Sequence, residues 1–116
     1  MSTELDKLRN AVRKFAAERD WDQFHSPKNL AMALSVEAAE LLELFQWLTE
    51  PQSRALTAED HAKVSDEIAD VLIYLLRVAD KLGIDPVAAA QRKMIANAKK
   101  YPADKARGNN TKYTEL

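Results

Sequence analysis

The stretch Ser35–Trp47, SVEAAELLELFQW, reads as an apolar helix, yet it sets Glu37, Glu40 and Glu43 three residues apart among Leu, Ala and Phe. In a helix, Leu30, Leu34, Leu41, Leu44 and Leu48 fall on one stripe, and position 37 falls inside it. Glu37 therefore points where a leucine belongs. An ionised carboxylate taken out of water is strongly unfavourable unless it meets a cation, a positive side chain or several donors. A second segment repeats the pattern. DEIADVLIYLLRVADKL, residues 66–82, places Glu67 and Asp70 three apart, beside a stripe of Val64, Ile68, Val71, Leu75, Val78 and Leu82.

The chain has two glycines and no strand-like alternation, and Ala, Leu, Glu, Lys and Arg dominate. The fold class expected is all-α, with four main helices in an antiparallel bundle. The first runs from about Thr3 to Arg19 with Leu5, Leu8, Val12, Phe15 and Ala16 inward, and DWDQFH links it onward. Ser26 caps the second and Pro27 suits its first position, and the helix is expected to end before Pro51. The third opens at Thr57, with Asp60 at capping-box spacing, and stops near Gly83. The fourth opens at Asp85 and Pro86 and ends just before Pro102. Residues 1–102 read as one helical domain, and 103–116 as a polar tail without period.

Residues three apart lie about 60° from each other around a helix, so each acidic pair projects two carboxylates in roughly one direction. A short connection makes helices two and three antiparallel neighbours, and the pairs can then face each other. The ordinary explanation of such acids is a solvated face tied down by salt bridges. It fits poorly. Glu37, Glu40 and Asp70 have no Lys or Arg three or four residues away, and Glu67 has only Lys63, in the weaker order. An external cation resolves the repulsion. Four carboxylates with no His or Cys nearby make an all-oxygen site suited to Mg²⁺, with Mn²⁺ as a substitute. A di-iron bundle would want Glu-x-x-His, which neither helix supplies. Mg²⁺ held this way normally also takes substrate phosphates, so the implied chemistry is hydrolysis of a phosphate ester or anhydride.

A phosphate substrate needs positive charge opposite the metal. Lys93 and Asn97, at i and i+4 of KMIANAKKYP, could clamp one, while Lys99 and Lys100 equally complement a helix C-terminus. A base needs aromatic surface, and Trp21, Phe24 and His25 cluster in a chain with only 7% aromatics, with Trp47 and Tyr74 within a few turns of the acids. Aromatics at helix ends are also ordinary core plugs.

Composition narrows the classes further. The 17 basic and 18 acidic residues nearly cancel, which argues against coating a nucleic acid polymer or an anionic membrane. Without cysteine there is no disulfide, thiolate site or Cys nucleophile, and a cytoplasmic location is the default expectation. No run approaches the roughly 18 apolar residues of a membrane span.

With these residues assembled, the chain resembles the MazG-like all-α nucleoside triphosphate pyrophosphohydrolases, and among them the dCTP-directed branch. The family's E-x-x-E followed by E-x-x-D is carried by Glu37, Glu40, Glu67 and Asp70, and ERDWDQFHSPKNL, ELLELFQW, DEIADVLIYL, KMIANAKKYP and KYTEL agree too. The resemblance implies Mg²⁺-dependent cleavage between the α and β phosphates, giving monophosphate and pyrophosphate. It would make the four acids metal ligands, Lys93 and Asn97 phosphate contacts, and Trp21, His25, Trp47 and Tyr74 parts of a nucleoside pocket. The resemblance also implies a homo-oligomer, dimer or tetramer. Helix three argues separately for it: Ala69, Leu72, Ile73 and Leu76 cover the side opposite its main stripe, so Ile73 and Leu76 are expected to face a partner chain.

Overall fold

The computed structural model describes residues 3–115, which form helices and turns with no strand among them. Four helix starts follow from local chemistry. Thr3, Ser26, Thr57 and Asp85 each accept a hydrogen bond from a backbone N–H of the first turn, satisfying a donor the helix leaves unpaired. They open α1 (Glu4–Glu18), α2 (Pro27–Glu43), α4 (Ala58–Lys81) and α5 (Pro86–Lys100). Thr57 caps through its side chain alone, without the reciprocal bond that its spacing to Asp60 allowed.

The second helix ends earlier than its composition implies. α2 stops at Glu43, the chain turns over Leu44–Trp47, and Thr49 with Gln52 forms a capping box that opens a separate short helix, α3 (Glu50–Arg54). Pro51 thus lies in the first turn of a new helix, where its missing N–H costs nothing, and does not terminate the old one. The tail expected over 103–116 also carries structure: α6 (Ala103–Ala106), a 3-10 turn at Tyr113–Glu115, and a Tyr101 ring edge-on to Tyr113 at 5.9 Å.

The chain divides into two compact units, one up to Gly83 and one from Ile84 on. In the first, α2 and α1 both pack on α4. Its buried hydrophobic residues are Ala16 of α1, Leu30 of α2, and Val64, Leu76 and Ala79 of α4. Leu76, expected to face a partner, is instead 2% exposed within its own chain, whereas Ile68, Leu75 and Leu82 of the expected inner stripe are about half exposed. A 24-residue helix that meets two neighbours turns its apolar contact around its axis, so no single stripe describes it. Ile73 stays 37% exposed and lines an apolar groove of about 250 Å³ with Ala11, Val12 and Phe15.

The α1 to α2 connection is set by a left-handed residue. Asp20 has φ 54°, and the Trp21 and Asp20 N–H groups donate back to the Ala16 and Ala17 carbonyls, the paired bonds of a Schellman turn with Asp where Gly is usual. Gln23 Nε2 donates to both the Asp20 carbonyl and carboxylate, which holds this conformation. The turn brings Trp21 edge-on to Phe15, at 5.7 Å, and presents Asp22 and His25 to α4.

Candidate metal centre and nucleoside cavity

The two acidic pairs meet between α2 and α4. One carboxylate oxygen each from Glu37, Glu67 and Asp70 lies within 4.8 Å of the others. Among the described residues no Lys, Arg or His pairs with any of them. Lys63, the one basic neighbour in sequence, pairs with Glu59 instead, at 3.4 Å. Oε2 of Glu37 and Oε2 of Glu67 are buried with no hydrogen-bond partner. Unpaired buried oxygens are costly, and two residues that carry them beside a third carboxylate make a candidate cation site.

The titration of the pair expresses the same crowding. Burial pushes the Glu37 carboxyl up to about 7, helped by the neighbouring Glu40, Glu67 and Asp70. Glu67 is also raised, first by burial and then by the charges of Glu40 and Asp70. Glu40 stands outside the three-oxygen cluster but close enough to act on both, and Glu43 is exposed, so the third acid of the helix plays no part in the cluster. The donor set is all oxygen and fits a hard divalent cation.

A second feature lies between α1, the connection and α4. Trp21, His25, Tyr74 and Arg77 line a cavity of about 90 Å³ together with Val12, Phe15, Ala16 and Ile73, three of which continue into the apolar groove. The Trp21 and His25 rings meet edge-on at 6.4 Å. The structure therefore gathers three of the four residues expected around a nucleoside. Trp47 stands apart: it lies in the turn after α2, is 86% exposed, and does not line this cavity. In the second unit, Lys93 is exposed and Asn97 half-buried on α5, with the Asn97 carbonyl accepting from Tyr101 N–H at 2.8 Å.

The residue that sequence reading passed over is Arg77, the one buried charged side chain among those described, at 4% exposure. Its Nε donates to His25 Nδ1 at 3.1 Å, Nη2 to Asp22 Oδ1 at 2.6 Å and Nη1 to Asp80 Oδ2 at 3.3 Å. Asp80 in turn accepts from Arg13 of α1, and Lys81 donates to Asp22. One arginine thus ties the connection to α4. The available signal was an arginine inside an apolar run, but its partners His25 and Asp22 lie more than 50 residues away in sequence.

Residues 32–116, which include both acidic pairs, match the model of the MazG-like family. The chain belongs to that family. It is 46% identical over 97% of its length to dCTP pyrophosphatase 1 of Homo sapiens, covering 67% of that protein, and 45% identical over the same share to the Mus musculus protein of the same name. A solved structure described as a pyrophosphatase from Archaeoglobus fulgidus matches with a TM-score of 0.82 at 42% identity, over 88% of this chain and 95% of that one. Both acidic pairs lie within the matched residues, on α2 and α4, where the oxygen cluster lies.

Proposed function

We propose that the protein hydrolyses dCTP, or a modified dCTP, to dCMP and pyrophosphate, clearing unwanted nucleotides from the precursor pool. The chain is a nucleotide pyrophosphohydrolase, a class carried by its family and by its identity to dCTP pyrophosphatase 1 over nearly its whole length. The observation that carries the chemistry is the pair of orphaned buried oxygens on Glu37 and Glu67 beside Asp70. These three would hold Mg²⁺, which when bound neutralises phosphate charge and lowers the pKa of a bound water.

The chain's own residues do the rest. Glu40, next to Glu37 but outside the three-oxygen cluster, is the carboxylate left to orient water and accept its proton. Water adds across the α–β anhydride: its oxygen joins one of the two phosphorus atoms, the bond from that phosphorus to the bridging oxygen breaks, and dCMP and pyrophosphate are released. Trp21, His25 and Tyr74 take the edge of the base, since about 90 Å³ is well below the roughly 300 Å³ of a full ligand pocket. Ribose and phosphates lie outside it.

The active species in this reading is a homo-oligomer. The hydrophobic core of the described residues is only Ala16, Leu30, Val64, Leu76 and Ala79, while Met32, Val36, Leu42, Ile68 and Leu75 are exposed. A chain of this size ordinarily buries far more, so a second copy supplies the missing cover.

The test is a panel of nucleoside triphosphates with Mg²⁺, scored by pyrophosphate release. Highest kcat/KM on dCTP is expected. Preference for dUTP or a damaged purine triphosphate would keep the chemistry and overturn the base. No turnover on any member would leave a helical interaction module with a structural ion.

A further inference from the structure

The Arg77 to His25 contact decides more than the packing of a loop. A guanidinium has only donors and does not lose its proton in proteins, so the nitrogen that it donates to must offer a lone pair. For this bond to form, His25 Nδ1, 3.1 Å from Arg77 Nε, must be unprotonated, which leaves the ring proton to Nε2. A second proton on Nδ1 would set N–H against N–H. Among the described residues Nε2 has no hydrogen-bond partner, and it is not among the buried unpaired atoms, so it reaches solvent at a ring that lines the cavity.

Arg77 is itself held from several sides. Asp22, in the connection, and Asp80, one turn along α4, fix its two terminal nitrogens, and Arg13 of α1 braces Asp80. Other groups facing the imidazole act in line with the geometry. Burial lowers the His25 pKa, Arg77 and Lys81 add to this, and Asp22 alone opposes it.

We propose that Arg77 is a positioning residue that holds His25 as the tautomer protonated on Nε2, so that the imidazole presents a dedicated donor to an acceptor atom on the base. This rests on the reading of that cavity as the base site. A pyrimidine carbonyl oxygen or an unprotonated ring nitrogen fits such a donor, and an exocyclic amino group does not. A histidine free to switch tautomer would accept either.

The experiment is long-range ¹H–¹⁵N NMR of the two histidines, His25 and His61, in the full chain, with kinetics on dCTP. His25 of the parent should show Nδ1 as an unprotonated acceptor and Nε2 protonated at pH 7. Arg77→Met should mix the two tautomers and raise KM roughly tenfold, the worth of one well-placed hydrogen bond, with kcat changed by less than about threefold. Arg77→Lys, which keeps a donor, should restore the tautomer and part of KM. A parent spectrum with Nδ1 protonated overturns the proposal even if Arg77→Met does not fold. An unchanged tautomer in Arg77→Met, or an altered tautomer with unchanged KM, overturns it as well. If dCTP is not a substrate, the spectra still decide the tautomer, and the reading of the function fails separately.

Discussion

Titrating Mg²⁺ into the metal-free protein should expel a proton, because the ion and the proton compete for the same oxygens. Glu37 holds its proton up to about pH 7 when no cation is present, with Glu40, Glu67 and Asp70 crowding it. A ligand carboxylate must be ionised, so each ion bound displaces whatever the pair then carries. Proton release should be roughly 0.9 per ion at pH 6, about 0.5 at pH 7 and roughly 0.1 at pH 8, and the apparent affinity should fall about tenfold from pH 8 to pH 6. Isothermal titration in buffers of different ionisation enthalpy measures the release directly. Uptake of Mg²⁺ at pH 6 with no proton release, or with the affinity of pH 8, would show that the ion binds away from the Glu37 and Glu67 pair. Glu37→Gln serves as the internal comparison, losing both the release and the tight site.

Other outcomes follow from the same geometry. In EDTA, Glu37→Gln should be more stable than the parent, and its advantage should grow from pH 6 to pH 8. The native pKa of Glu37 lies above its unfolded value, so the parent loses stability as pH rises through about 7, while the variant does not. Taking the difference cancels the opposite contribution of His25, whose lowered pKa favours the native state as pH rises. Leu30→Ala empties a fully buried position and should cost about 2–5 kcal/mol, read as a lower urea midpoint at unchanged slope; a loss below about 0.5 kcal/mol would mean the site is not core. Leu75→Glu places a charge on the exposed apolar face of α4 and should shift light scattering toward smaller species, whereas an unchanged mass would show that this face is not covered by a second copy.

Local chemistry was the most legible part of the sequence. Ser26 with Pro27, Thr57, and Asp85 with Pro86 start helices where they stand, since a cap needs only its own first turn. Gly83 takes φ 65° after α4 for the same reason. Pro51, read only as the limit of the second helix, instead lies in the first turn of a short helix that Thr49 and Gln52 open with a capping box. The meeting of Glu37, Glu67 and Asp70 was legible because an unpaired acid inside an apolar stripe is a conflict that only a tertiary partner can resolve. Burial around α4 was not, since the register of Leu75 and Leu76 depends on where α1 and α2 cross it. Arg77 was invisible for a related reason: nothing near it in sequence shows that the Asp20 turn delivers Asp22 and His25 to its guanidinium.

If the carboxylates of α2 and α4 drive cleavage between the α and β phosphates, the products carry the signature of that bond. They are read by ³¹P NMR of dCTP with Mg²⁺ and the protein, run beside Glu67→Gln. The parent should give dCMP and pyrophosphate in equal amounts, with no dCDP or orthophosphate, and Glu67→Gln should be slower by about a hundredfold, the upper end of what disturbing a metal site costs. Appearance of dCDP with orthophosphate, or a Glu67→Gln protein that turns over like the parent, would contradict that role of the carboxylates.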